Sequence, residues 1–277
     1  MNKEHLDFVY PNGAHKAVTL RFDDGPDSDR KMVDLLNRYD LKATFYLVGS
    51  FLEREKGINI DEVNTLYKGH EIANHTFFHK DPSRHILTSE DVENELELGK
   101  RFLEKLTNNA VSGYAYVCST YGNIGADEYK RILTKTAHKY AIMGRETYCF
   151  EPDINDRFDI GQSFRFKDDM LLEKASEFCK LDTQHLTIML VMAHTYEFDD
   201  PKYNCSWQKV EDFYKTVSGR SDIWYATNGE VIEYLLDVQK FKNSDSLLNT
   251  TESTLYINTS KNIVKLKPKE KLLVSIN

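Results

Sequence analysis

The sequence predicts an α/β fold, built from repeated strand-helix units around a largely parallel sheet or barrel. Three observations predict it. Short β-type runs alternate with longer segments of helical period. One run, 186–192, is almost continuously apolar, as a strand buried on both faces of a parallel sheet must be. The length of 277 residues suits one barrel domain, and 40% hydrophobic with 12% aromatic residues provides material for its core.

In chain order, strands are expected at 17–22, 43–47, 71–74, 114–117, 140–142, 186–192 and 223–225. Helical periodicity occupies 29–39, 61–68, 90–106, 126–138, 207–217 and 227–238. Ser28 stands where a cap would start the first helix, and Thr88-Ser89-Glu90-Asp91 places a capping residue and acids at the head of the third. Residues 243–253 are polar and rich in Ser, Thr and Asn, and short β-prone segments follow at 255–258, 263–266 and 272–276. The expected organisation is a barrel over 1–242, then a linker and C-terminal β tail over 243–277. A tail this short is expected to be an edge sheet covering the barrel rather than a separate binding module.

Charge and composition narrow the function classes. Lys plus Arg number 36 against 44 Asp plus Glu, a net charge of -8 spread along the chain, so nucleic acid is not an expected partner. No apolar run approaches the roughly 20 residues of a membrane helix. No signal-peptide stretch is visible in MNKEHLDFVYPNGAHKAVTL. Cys118, Cys149, Cys179 and Cys205 form no CxxC pair, so free thiols and a cytoplasmic location are the expectation.

Three stretches carry chemistry. In Thr19-Leu20-Arg21-Phe22-Asp23-Asp24-Gly25-Pro26 two carboxylates sit where an apolar strand ends. Neighbours on a strand diverge, but a turn at Gly25 allows both to face one mouth, where barrel enzymes keep their reactive groups. Alone, the segment also fits an Asx turn leading into a helix cap. In His70-Glu71-Ile72-Ala73-Asn74-His75-Thr76-Phe77-Phe78-His79 two histidines, His75 and His79, stand at i and i+4, a spacing that on a helical turn aims both imidazoles at one divalent ion. With Asp23-Asp24 they make up the set of two imidazoles and a carboxylate that holds a catalytic metal with an open position. The run 186–192 leads to His194 at a third strand end, which also fits a rim histidine with a structural hydrogen bond.

TLRFDDGPD, HEIANHTFFH and LVMAH, in this order and spacing, resemble the motifs of the polysaccharide deacetylase family, also called NodB-homology or carbohydrate esterase family 4. The resemblance spans about 17–238 and implies a distorted (β/α) barrel. It implies Asp23 as the catalytic base, Asp24, His75 and His79 as the metal triad, and His194 as the general acid. The family's third motif, Arg-Pro-Pro-Tyr-Gly, appears as Cys118-Ser119-Thr120-Tyr121-Gly122. The arginine that pairs with the base is thus replaced by Cys118, and Arg145, after the fifth strand, is the candidate substitute. The fourth motif, an Asp-Trp pair tuning the acid, is not recognisable, and Asp153, Asp156 and Asp159 are candidate stand-ins.

The residue types suit hydrolysis at a polarised carbonyl. A divalent ion, zinc by ligand type with cobalt or nickel able to substitute, would polarise the carbonyl and lower the pKa of its water toward ~7. Asp23 would take a proton, His194 would donate one to the leaving group, and by resemblance the Tyr121 backbone N–H would help hold the oxyanion. The expected substrate is an N- or O-acetylated carbohydrate or related small molecule. The alternatives are a hydrolase of a non-sugar amide or ureide bond, and a weakened metal- or carbohydrate-binding protein, to which the change at Cys118 points.

Overall fold

The chain is described by a computed structural model over residues 3, 6–52, 54–259 and 262–273. Its centre is β2 (Lys16–Asp24), in which eight consecutive residues are buried before Asp24 at its tip. That strand is buried on both faces, with Val18, Leu20 and Phe22 on one and Thr19, Arg21 and Asp23 on the other, and it has strands along both edges. It runs parallel to β9 (Thr187–Ala193) along Lys16–Phe22, to β3 (Thr44–Leu47) along Arg21–Asp24, and to β10 (Ile223–Tyr225) along Lys16–Val18. From β3 the sheet continues through β4 (Glu71–Asn74), β5 (Gly113–Ala115), β6 (Tyr140–Glu146) and β7 (Ile160–Gln162). On the far side of β9 lies β8 (Phe164–Arg165).

Closure comes from one stretch of chain. Segment 160–165 pairs with β6 through β7 and with β9 through β8, and between them the Ser163 N–H donates to the Leu190 carbonyl at 2.9 Å. The sheet therefore curls into a nearly closed parallel barrel, and all its strands end at one mouth. The expected α/β class and distorted barrel are what is found.

Helices cover the outside with apolar stripes. Met32, Val33, Leu35 and Leu36 of α1 (Asp29–Arg38) are buried, as are Val210, Phe213, Tyr214 and Val217 of α6 (Trp207–Val217). The i, i+3, i+4 spacing is what a helix lying on a sheet requires. Thr88 caps α3 (Ser89–Thr107) with a reciprocal bond to Asp91, as its sequence indicates. Ser28 does not cap α1; its hydroxyl instead meets that of Thr195 at 2.8 Å. The expected helix at 61–68 is shorter, a 3-10 turn at Ile60–Glu62 followed by α2 (Val63–Leu66). α4 (Ala126–Lys135) lies inside its expected span, whereas α5 (Leu171–Lys180) was not expected.

The final helix, α7 (Asn228–Asn243), runs up to the polar stretch. Beyond it β11 (Leu255–Asn258) and β12 (Ile263–Leu266) form an antiparallel sheet whose third strand is β1 (Asp7–Val9) from the start of the chain. Phe8, Ile257 and Leu266 pack there with Tyr234, Val238 and Phe241 of α7. The intervening stretch is pinned rather than loose. Asn249 is fully buried and donates to the carbonyls of Ser253 and Leu266. Of the expected third tail strand at 272–276, Leu272 and Leu273 are described and are not in a strand, the rest lies outside the described part, and a single bridge between Leu248 and Lys271 precedes it. Among the described residues no helix is long and apolar enough to cross a membrane.

Candidate active site

At the mouth, β2 delivers two carboxylates with different surroundings. Asp23 is 1% exposed, and both its oxygens accept from Arg21, from Nε at 2.9 Å and a terminal nitrogen at 2.6 Å. Residues two apart on a strand share a face, so Arg21 reaches Asp23 from inside the barrel. Its third arm is held by Gln162 Oε1 at 3.2 Å, and its plane lies over the Tyr46 ring. Burial alone would push the Asp23 carboxyl up, but Arg21 chiefly, with the His75 and His194 imidazoles, holds it below its usual range.

Asp24 has φ of 81°, followed by Gly25 at 73°. The strand would send Asp24 outward, and this left-handed pair rotates it back to the mouth, a conformation that costs roughly 1–3 kcal/mol for a non-glycine residue. A Cβ on Gly25 would stand 2.9 Å from the tip of the Leu47 side chain, which would have to shift to admit it.

His75 and His79 follow β4. They do not lie on a helix, contrary to the helical-turn reading of their spacing. The loop carries φ values of 68° at Thr76 and 60° at His79, which fold it back until the two rings are 5.0 Å apart. Asn74 sets this turn, its side-chain oxygen accepting from the Thr76 N–H and its amide donating to the Leu96 carbonyl. Helix α3 approaches so closely at Gly99 that a Cβ there would come within 2.4 Å of Asn74.

The donor triangle is explicit. Asp24 Oδ1 lies 3.5 Å from His75 Nε2 and 3.3 Å from His79 Nε2. Tetrahedral zinc bonds of about 2.0–2.2 Å put neighbouring donor atoms roughly 3.3–3.5 Å apart. His75 Nδ1 faces the Ala115 carbonyl at 2.8 Å; a carbonyl only accepts, so Nδ1 carries the proton and Nε2 presents a lone pair. Burial keeps His75 neutral, pushing it down to about 4. Asp24 Oδ1 is buried without a hydrogen bond, and although burial opposes it, the imidazoles of His79, His194 and His75 hold the carboxyl ionised. One carboxylate with a buried oxygen facing the Nε2 atoms of two imidazoles is a donor set that fits a divalent cation.

His194 ends β9, with Nε2 3.9 Å from Asp24 Oδ2. Its Nδ1 lies 3.0 Å from Glu197 Oε1, and its backbone N–H donates to the other Glu197 oxygen. Burial pushes this imidazole down, but Glu197, with Asp24 and Asp23, outweighs burial and raises it. Glu197 is thus the carboxylate partner of His194. It comes from the same turn, three residues on, and its nearness in sequence was the available signal.

Arg145 requires a correction. Its guanidinium pairs with Asp153 at 2.7 Å and donates to the Asp159 carbonyl, and it is Arg21 that forks onto Asp23. Asp153 and Asp159 are thereby engaged with Arg145, and Asp156 with Lys130 at 2.7 Å, so none of these acids stands in for the fourth motif. Tyr121 precedes a 3-10 turn (Gly122–Ile124), its ring against Tyr116 and Tyr129. The Cys118 thiol is half-buried and pushed up to about 11, chiefly by burial, which keeps it a protonated and weakly nucleophilic group.

The chain is similar to known proteins in sequence and in fold. Residues 11–140 match the polysaccharide deacetylase family. Two peptidoglycan-N-acetylglucosamine deacetylases of Bacillus cereus are similar, at 38% identity over 103 residues and 32% over 132, covering 36% and 46% of this chain. These matches span 46% and 44% of the two relatives, so the chain spans under half the length of the curated proteins it resembles. In fold it is similar to the crystal structure of a polysaccharide deacetylase homologue from Mycobacterium smegmatis, with TM-score 0.56 and 16% identity, covering 85% of this chain and 94% of that one. The polysaccharide deacetylase match contains Arg21, Asp23, Asp24, His75, His79 and Tyr121, and ends before His194 and Glu197.

Proposed function

We propose that this chain is a metal-dependent hydrolase that removes acetyl groups from an N- or O-acetylated carbohydrate. The observation that carries the reading is the convergence, on one barrel mouth, of the Asp24-His75-His79 donor triangle with Asp23 beside it and His194 across from it. A divalent ion bound by that triangle, zinc first by donor type, would polarise the acetyl carbonyl and acidify water. Asp23 takes the proton of the attacking water, with the Arg21 fork fixing the orientation of the carboxylate. His194, held protonated by Glu197, donates to the leaving amine or alcohol, and the backbone N–H of Tyr121 supports the developing oxyanion. Barrel enzymes keep such groups at the C-terminal ends of different strands, as here.

The test is acetate release from a panel of acetylated mono- and oligosaccharides, with and without chelator. Release that stops with chelator and returns with zinc supports the reading. No release from any member, with zinc stoichiometrically bound, overturns it.

A further inference from the structure

Helix α3 lies against the loop that carries His75 and His79, and one stretch of it grips that loop at three points. The Leu96 carbonyl accepts from the Asn74 amide. Gly99 leaves room for the Thr76 backbone, to which a Cβ would come within 2.7 Å. The Glu95 carboxylate accepts from the Phe78 N–H at 2.8 Å. The first two contacts act on the start of the loop, and the third acts next to His79.

The backbone N–H groups of the loop differ in where their acceptors come from. Thr76 donates to Asn74 Oδ1 and His79 to Thr76 Oγ1, acceptors that belong to the strand end and to the loop itself. Phe78 donates to Glu95 Oε2, an acceptor from a separate element. On the other side of His79, Lys80 Nζ lies 3.7 Å from Glu95 Oε1. One carboxylate thus holds both neighbours of His79, with one oxygen for each. Phe78 is 54% exposed, so burial of its ring does little to fix the chain here.

The helix sets the place of Glu95, which is itself buried. Thr88 and Asp91 cap α3 reciprocally, and Glu95 stands four residues after Asp91 on the same face, so both acids look toward Lys80. Burying a carboxylate costs stability that an apolar side chain of similar volume would not, so the contribution of Glu95 is placement of the loop. Such support is needed at His79, because a φ of 60° is held in a non-glycine residue only by its surroundings.

We propose that Glu95 is a positioning residue for the metal site: its carboxylate fixes the backbone on either side of His79 and so sets His79 Nε2 at 3.3 Å from Asp24 Oδ1. Glu95 is not among the donors of the triangle and acts through His79. This inference rests on the metal-dependent reading of the site.

The zinc affinity of the chelator-stripped full chain, measured by competition with a fluorescent zinc chelator, reads the effect without turnover. Three variants separate reach from charge. Glu95→Gln keeps an acceptor at the same reach and loses the charge, Glu95→Asp keeps the charge and falls one methylene short, and Glu95→Leu loses both. The glutamine variant should bind zinc within about fivefold of wild type, the worth of an ion pair to a half-exposed lysine. The aspartate and leucine variants should each bind roughly ten- to a hundredfold more weakly, as when the outer support of a metal ligand is removed. Circular dichroism establishes that each stripped protein is folded at the temperature of titration, and a folded fraction near one makes the apparent affinity independent of global stability. Should Glu95→Leu not fold, the glutamine and aspartate variants decide alone. An aspartate variant as tight as wild type, or a glutamine variant as weak as the leucine or aspartate one, would overturn the inference, because charge rather than reach would then be the cause. Wild-type affinity in all the variants would overturn it too, leaving Glu95 a purely structural residue. In each of these cases zinc uptake by wild type keeps the metal-dependent reading intact, whereas a wild type that takes up no zinc would overturn that reading and with it what Glu95 positions.

Discussion

Asp24 comes from the tip of β2 and His75 and His79 from the loop after β4, and they meet only because Asp24, Thr76 and His79 all take left-handed backbone, whereas His194 and Glu197 come from a single turn and pair at 3.0 Å across three residues. The first region stores strain and the second does not. A metal site needs three donors on one point, which few chain geometries supply, so the surrounding structure must impose it. An acid needs only its proton-holding partner at the right distance, which one tight turn provides. The metal-binding half should therefore be the part most sensitive to its support, and the proton-handling half the part in which residues can be exchanged between elements. Arg21 shows such an exchange: Asp23, the proposed base, is held from its own strand, and the change to Cys118 does not leave it unsupported.

The largest expected effect breaks the first region. His75→Ala or His79→Ala should lose the bound ion, and acetate release should fall to background, as metal analysis and product assay would report. Full occupancy in both variants would remove the donor triangle from the argument. Asp23→Asn comes next. It should retain the ion while lowering turnover by roughly 10²- to 10⁴-fold, the usual contribution of a positioned base. Loss of the ion in this variant would instead make Asp23 a ligand.

Two substitutions then sharpen the contrast. Arg21→Lys keeps a charge but not the fork, and should cost roughly ten- to a hundredfold in turnover with metal content unchanged, while Arg145→Lys should leave turnover as it was. The reverse pattern would restore Arg145 as the partner of the base. Glu197→Gln removes the carboxylate that raises His194, so the imidazole loses its proton at lower pH. The alkaline limb of kcat/KM should move down by roughly one pH unit. A uniform rate loss with an unmoved profile would mean that Glu197 only props the turn.

The same contrast explains what could be read in advance. Barrel class, most strands and the meeting of Asp23, Asp24 and His194 at strand ends were legible because β2 and β9 are largely apolar runs ending in polar groups, a pattern that survives without tertiary context. The means of bringing His75 and His79 together was misread, since i, i+4 spacing suggests a helix and nothing local announces left-handed backbone at a threonine and a histidine. Arg21 was overlooked although strand alternation alone places it on the face of Asp23. The short strands of 160–165 carry too few residues for a period to register, yet they close the barrel.

The two regions meet at Asp29, where the expected effect is on stability and its pH dependence. This residue opens α1 just after the Asp23-Asp24 turn, is wholly buried, and accepts from Tyr67 Oη at 2.7 Å and from the hydroxyl of Thr195, the neighbour of His194. Burial is the largest influence on its carboxyl and pushes it up to about 7; the Thr195 and Tyr67 hydroxyls oppose this, and Asp24 and Asp23 add to it. An unfolded chain releases this proton near 3.8, whereas the folded one keeps it until about 7. Between those values the folded state binds more protons, so its stability falls as pH rises, by at most about 1.4 kcal/mol per pH unit, and the loss is complete above the folded value. Burial depresses His70 to about 4 and His138 to about 3, which acts in the opposite direction below the ordinary histidine value. Those terms are common to wild type and variant and cancel in their difference. Asp29→Asn stays neutral and can still accept from one hydroxyl and donate to the Thr195 oxygen. In urea unfolding of chelator-treated protein, the stability of Asp29→Asn relative to wild type should rise steadily from about pH 4 to about pH 7 and level off above. Parallel stability curves across that window would show that the Asp29 carboxyl is ionised in the folded protein, and that the seam between the two regions carries a charge after all.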